Sequence, residues 1–281
     1  MPDFGSFRGF GEKLAQGQTP TQLGLIGSES AYDGDANSFF QRVTSAGGTL
    51  SNTEKIAVNQ LVLDMKANGT WTPMKALYPM VGASAAACAQ NLKSSSFTGT
   101  FNGSWTFAST GVTGSSGFFN TGLNAATQLS FANNHMSAYI YNNTASAYDM
   151  GVSADAGTIV DELTLLVRQN PNNLIYYSVD AIYNCNVAIT NSQGHTLGSM
   201  SGTNTQNIYK NGVKLRSIAS GGSQLASGNI YIGAVNANGT ASSFSNHTFA
   251  LNSIGDKLSD TQASDFYTAV QAFQTTLGRQ V

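Results

Sequence analysis

The first residues to weigh are the acids. The chain carries only four glutamates, Glu12, Glu29, Glu54 and Glu162. Retaining hydrolysis of a glycosidic bond needs two carboxyl groups about 5 Å apart across the scissile bond. Asp161 and Glu162 are adjacent, and neighbours on a strand point to opposite faces, so that pair cannot supply the geometry. His135, His195 and His247 are scattered, and none lies beside a serine in a G-x-S-x-G elbow. Gly114-Ser115-Ser116-Gly117 reads as a turn, and each histidine as a surface or strand-end residue. Cys88 and Cys185, 97 positions apart, form no C-x-x-C pair and no metal spacing. They read as reduced, partly buried thiols. The expectation is a protein that is not an enzyme.

Two weaker chemistries remain. Asp149, Asp155, Asp161 and Asp180 fall mid-chain, and Asp149 and Asp155 share a stretch with Asn142 and Asn143. Calcium takes six to eight oxygens, which a flexible Asp/Asn loop can supply. The spacing matches no EF-hand, and turn-forming Asx residues give the competing reading. Asp149 and Asp155 are the candidate calcium ligands; no other cofactor is expected. Trp105, Tyr139, Tyr141, Tyr176 and Tyr177 could stack on sugar rings. Trp105 alternates with Phe107, which favours the core. Sugar contacts are expected on rim loops rich in Asn, Ser and Thr.

The elements that must position these residues are mostly strands. In 281 residues only 10% are charged, and the net charge is −2. That is well below the roughly 25% of an ordinary soluble domain. A surface polar through hydroxyls and amides suits extracellular adhesive and virion-surface proteins. No basic stripe is present to bind nucleic acid, and no apolar run approaches the ~20 residues of a spanning helix. The start, MPDFGSFRGFGEKL, lacks the apolar core of a signal peptide; host lysis would supply a route out of the cell, and loss of a leader would also explain the absence.

Residues 1–28 read as an extended arm. Its glycines preclude a stable helix, and Phe4, Phe7, Phe10 and Leu23 are the candidate anchors to a partner. Residues 29–80 read as a small helical neck. Ala36, Phe39, Phe40 and Val43 share one helical face. A second helix opens at the capping box Ser51–Glu54, carries Ile56, Val58, Leu61, Val62, Leu63 and Met65, and stops at Asn68-Gly69. From residue 81 onward at least ten short strands alternate with turn signals, including Leu129–Phe131 and a hairpin about Asn211-Gly212. A closing helix starts at the capping box Ser259–Gln262 and buries Ala263, Phe266, Val270, Phe273 and Leu277. The fold class is mainly β: an antiparallel jelly-roll sandwich with an extended arm, a helical neck and a terminal helix.

Residues 81–281 resemble a laminin-G-like, concanavalin-A-like domain. The likeness is carried by Trp105–Ala108, Gly111–Thr113, Asn120–Leu123, Ser137–Tyr141, the Asn211-Gly212 hairpin and Ile232-Gly233. Met74–Gly82, with Ile254–Asp260 and Ala269–Gln274, is similar to virion structural proteins of tailed phages of Bacteroidetes-type bacteria. Glycosidases of the concanavalin-A-like class carry a Glu-x-Asp-x-x-Glu strand, which this chain lacks. The resemblance implies a virion-surface protein in a fibre, the tail or capsid decoration. Its arm would bind other virion proteins, and its outward jelly roll would serve adhesion or host-glycan binding. It also implies a homo-oligomer, trimeric by analogy with fibres, and the rim calcium that such domains often bind. The alternative is a secreted or surface bacterial lectin without hydrolytic activity.

Overall fold

Seventeen short strands and five helical segments make up the described residues 32–155, 160–180 and 184–281 of the computed structural model. The expected arm over 1–28, with Phe4, Phe7, Phe10 and Leu23, lies outside them. The chain runs α1 (Gly34–Ser45), α2 (Asn52–Ala67), β1 (Met74–Tyr78), α3 (Ala85–Cys88), β2 (Thr100–Asn102), β3 (Trp105–Ala108), β4 (Gly111–Gly114) and β5 (Phe118–Asn124). Next come α4 (Ala125–Gln128), β6 (His135–Ile140), β7 (Met150–Asp155), β8 (Val160–Gln169), β9 (Leu174–Ser178), β10 (Cys185–Ala188), β11 (Gly194–Ser201) and β12 (Thr205–Lys210). It ends with β13 (Val213–Ala219), β14 (Asn229–Ile232), β15 (Val235–Ala237), β16 (Thr240–Ser242), β17 (Thr248–Gly255) and α5 (Asp260–Thr276).

Sheet A has the order β13-β12-β11-β6-β17-β4-β3, with β1 also paired to β17. Sheet B has the order β10-β9-β8-β7-β14-β5-β2, extended by β15 and β16. Pairing is antiparallel throughout except where β15 runs parallel to β7. The chain crosses repeatedly from one sheet to the other, as in a jelly roll, and the two sheets enclose one core. Met136, Ala138, Ile140, Ile208, Phe249 and Ile254 enter it from sheet A. Phe119, Val152, Leu163, Leu165, Ile175 and Tyr177 enter it from sheet B. Gly198 on β11 leaves room for Tyr177: a Cβ there would lie 2.1 Å from the ring.

Local signals explain the ends of several elements. Ser51 with Glu54, and Ser259 with Gln262, form complete capping boxes. Asn211 (φ 49°) and Gly212 (φ 75°) make the tight turn between the paired Lys210 and Val213. Both cysteines are free and buried.

The structure departs from expectation in four places. Of the expected neck, the described residues 33–80 pack with the sandwich. Asp33–Val281 form one compact unit, Met74–Tyr78 is a strand paired with β17, and α2 packs on α5. The helices need a partner for their apolar faces, and the outer side of sheet A with α5 supplies it. Secondly, Ile56 and Leu63 are exposed (56% and 42%). The buried stripe of α2 is Ala57, Val58, Leu61, Val62 and Met65, and these two residues fall off it. Thirdly, Leu129–Phe131 is no strand and holds only the isolated bridge Ser130–Asn133. Finally, β11 gave no strand signal, because both its faces are buried and no polar–apolar alternation marks it.

The C-terminal segment locks the helical layer to the sheets. Arg279 is 2% exposed. Its Nη1 donates to Met80 O (2.9 Å), and its Nη2 to Pro79 O and Ala250 O (2.7 Å each). Its Nε donates to Gln274 Oε1 (2.5 Å). Burial pulls its pKa down to about 10, so it remains charged at neutral pH. Arg279→Met removes these charge-assisted bonds and leaves buried carbonyls without donors, a cost of about 3 kcal/mol or more. Urea unfolding should show that loss with an unchanged m-value. A change under about 0.5 kcal/mol, the range of an ordinary surface substitution, would mean the latch contributes little.

Candidate functional site

The three histidines are not surface residues. His135, His195 and His247 are all buried, and each has a different role. His135 Nδ1 donates to Asp256 O (2.5 Å), so Nε2 is the acceptor for Ser253 Oγ (3.0 Å), which also bonds Ser137 Oγ (2.6 Å). A serine beside a neutral imidazole has the makings of a nucleophile and base. Here both are sealed inside the protein, so no substrate can approach. His195 packs edge-on against Phe266 of α5 (ring centroids 5.2 Å), and its Nε2 has no hydrogen-bond partner. Burial depresses both imidazoles, to about 4 for His135 and about 3 for His195.

His247 behaves oppositely because it meets Asp149. Its Nδ1 donates to Asp149 Oδ1 (2.7 Å) and its Nε2 to Thr144 O (2.8 Å). Burial lowers its pKa, but the Asp149 charge and hydrogen bonds outweigh that and raise it. Asp149 Oδ1 also accepts from Ser245 Oγ (2.7 Å), and Oδ2 from Val167 N (2.7 Å). Asp149 is therefore a buried tie between sheet B and the start of β17, with both carboxylate oxygens engaged. Its neighbours are engaged too: Asn142 Oδ1 accepts from Thr248 N (2.6 Å), and Asn143 Oδ1 from Arg168 Nη1 (2.9 Å). The side chain of Asp155 lies outside the described residues. Among those described, no group of three His, Cys, Asp or Glu side chains could hold a metal ion.

The outer face of sheet B is where reactive and sugar-compatible groups collect. On β8, Leu163, Leu165 and Val167 enter the core, so Glu162, Thr164 and Leu166 point the other way. On β9, Ile175 and Tyr177 enter the core, which turns Tyr176 and Ser178 to the other face; Asp180 follows just after the strand. Registers Thr164–Ser178 and Leu166–Tyr176 set these side chains side by side. Burial raises the pKa of Glu162; the Ser178 hydroxyl lowers it and the Asp180 charge raises it further. Tyr148 stands nearby, its phenol raised by burial and then by Glu162 and Tyr176. Tyr148 and Tyr176 are half-buried. Across the sheet, Phe118 stacks on Tyr231 (centroids 4.5 Å, 27° between planes). Beside that pair, Asn229 Nδ2 donates to Asn120 Oδ1 (3.2 Å).

Of the aromatic residues singled out in the sequence, Tyr176 alone is placed on this face. Tyr177 is in the core. Tyr139 is buried, its hydroxyl donating to Gln271 Oε1 of α5 (3.2 Å). Trp105 packs edge-on against Phe101 (5.1 Å) and partly covers the core edge, as expected. Tyr148, Phe118 and Tyr231 were missed. Strand parity beside the core set of β5 and β14 would have found the latter two; Tyr148 depends on the local register before β7. The Glu162–Asp180 neighbourhood was also missed, because Glu162 lies on β8 and Asp180 follows β9.

No protein-family model and no curated protein matches the chain. Solved structures do. Domain 4 of AbnA, a GH43 extracellular arabinanase from Geobacillus stearothermophilus, solved in complex with arabinotriose, is 13% identical. That match covers 69% of this chain and 98% of that one, with a TM-score of 0.52. Weaker matches include the binding domain of Paraclostridial Mosquitocidal Protein 1, at 9% identity, 70% and 52% coverage and a TM-score of 0.45. Another is the CBM40 of the Ruminococcus gnavus IT-sialidase bound to α2,3-sialyllactose, at 13% identity, 47% and 80% coverage and a TM-score of 0.37. The chain spans about a quarter of the length of the larger sialidase structures it matches. The first of these likenesses establishes the β-sandwich fold.

The buried histidines generate a pH prediction. His135 and His195 bind protons less readily in the folded than in the unfolded chain, where their pKa is near 6.5. Their neutral forms therefore give full stability above pH 6.5, which falls as pH drops toward 4 and then 3. His247 works in the opposite sense: its contribution is complete below pH 6.5 and fades as pH rises through its higher folded pKa. Thermal melts should show a loss of about 3 kcal/mol by pH 4 from His135 alone. His195→Phe, which fits beside Phe266, should make the acid limb shallower. A melting temperature constant from pH 7 to 4 would refute neutral buried imidazoles.

Proposed function

We propose that this protein binds glycans on the outer face of sheet B without cleaving them, and that it does so as an adhesion module on a tailed-phage particle. The observation that carries the binding reading is the difference between the two sheets. Sheet A has α5 against β11 and β13. Sheet B instead presents half-buried Tyr148, Tyr176 and Phe118 among amides and hydroxyls. Aromatic rings offer apolar faces to sugar C–H groups, while amides and hydroxyls exchange hydrogen bonds with sugar hydroxyls. The sandwich shared with a domain solved with arabinotriose agrees with this reading. The virion setting is supported by the resemblance of Met74–Gly82, Ile254–Asp260 and Ala269–Gln274 to phage structural proteins.

A glycan array probed with the full chain should give a restricted set of ligands. Tyr176→Ala and Tyr148→Ala should each weaken the best ligand about tenfold, the scale of one lost aromatic contact, with unchanged melting temperatures. Silence across the array, or full affinity in both variants, would reject the face. New reducing ends from a bound polysaccharide, abolished by Glu162→Gln, would replace a lectin with a hydrolase. Immunogold labelling with an antibody to the chain should decorate one place on purified particles; unlabelled particles would remove the virion setting and leave a secreted lectin.

A further inference from the structure

A cleft of about 590 Å³ lies between α1 and the segment after α3, lined by Ser38, Gln41, Arg42, Ser45, Gln90 and Ser95. The depression is shallow and open to solvent, and none of these residues belongs to sheet B. The helical wall follows from the sequence. Ala36, Phe39, Phe40 and Val43 are the buried face of α1. Ser38, Gln41, Arg42 and Ser45, at i, i+3, i+4 and i+7, make a second face that is wholly polar. The opposite wall is held to the sheet by Asn91, whose Oδ1 accepts from Leu77 N (2.9 Å) and whose Nδ2 donates to Lys75 O (3.0 Å) and Ser96 O (2.8 Å).

Arg42 joins the two walls. Its Nη2 donates to Asn91 O (2.7 Å) and Leu92 O (3.3 Å), which fixes the plane of the guanidinium. A guanidinium has five N–H donors, and these two bonds use only those on Nη2. Nη1 takes part in no hydrogen bond among the described residues, Nε is buried out of a ligand's reach, and no described carboxylate lies within ion-pairing distance of Arg42. The nearby Asp33 and Asp35 are both bound to Lys66 (2.7 and 2.6 Å). The cleft thus combines one immobilised cation, with uncommitted donors, and a ring of serine hydroxyls and glutamine amides. A rigid guanidinium with free donors matches an oxyanion; the hydroxyls and amides match a polyol.

We propose that this cleft is a second ligand site, separate from the sheet B face, and that it takes a carboxylate-bearing saccharide such as a uronic acid. The sugar carboxylate pairs with Arg42, and the sugar hydroxyls meet Ser38, Ser45, Ser95 and Gln90. Neutral sugars lack the group that Arg42 addresses, so they bind more weakly.

Titration calorimetry on the full chain, with glucuronate, galacturonate, glucose and inorganic sulfate as probes, tests this. A uronate should bind saturably and at least tenfold more tightly than glucose or sulfate. Arg42→Gln should lower that affinity at least tenfold. Because Arg42 also tethers the two walls, Ser45→Tyr is the second variant. It fills the cleft from an exposed position on α1, leaves the Arg42 bonds intact, and should abolish uronate binding with no change in melting temperature. Tyr176→Ala should leave uronate binding intact, which separates this site from the sheet B face. The proposal is overturned by the absence of saturable uronate binding, by glucose binding as tightly as glucuronate, or by full affinity in Ser45→Tyr. Sulfate equal to glucuronate would also overturn it, by reducing the cleft to a bare oxyanion site.

Discussion

The middle of sheet A, at β6, β11 and β17, is buried on both faces, and much else in the structure answers to that constraint. Its inner face meets sheet B across the core, and α5 packs on its outer side. Every residue of β6 is buried. Polar groups in such a layer are removed from water and must find partners inside the protein. The His135–Ser253–Ser137 chain, the Tyr209 hydroxyl on Asp260 Oδ1 (2.6 Å) and the four bonds of Arg279 are that requirement met residue by residue. The helices are held by the same contacts, so the helical layer and the sandwich form one unit.

At one end of the sandwich the same logic produces the Asp149–His247 pair. A carboxylate without exposure is tolerable only when charge and hydrogen bonds are both matched. Asp149 has an imidazole, a hydroxyl and a backbone N–H on its two oxygens. The node links sheet B to the start of β17 in sheet A and fixes the strand ends from which Tyr148 projects. Asp149 thus serves the geometry of that end of the sandwich.

On the outer side of sheet B, Glu162, Thr164, Leu166, Ser178 and Tyr231 are buried, while Tyr148, Tyr176 and Phe118 are half-buried. Glu162 and Asp180 lie beside tyrosines and hydroxyls in a chain with few charges. The cleft at Arg42 has the opposite character, one fixed cation without an acid.

The sequence by itself determined the β class, both capping boxes, the Asn211-Gly212 hairpin, the buried face of α1 and the closing helix. All are set by local periodicity or by the conformational limits of one or two residues. It also excluded an adjacent carboxylate pair at Asp161-Glu162, since strand parity is a local rule. Tertiary structure alone decided what depends on residues distant in the chain. It buried the three histidines, which carry no sequence mark of burial. It turned Asp149 inward to His247, 98 positions away, and brought Glu162 beside Asp180, which follows the neighbouring strand. It drew Met74–Tyr78 into sheet A, and it made a strand of Gly194–Ser201, where burial on both sides erases the alternation that announces a strand. Local steric preference is written in neighbours; burial and charge pairing are written in the fold.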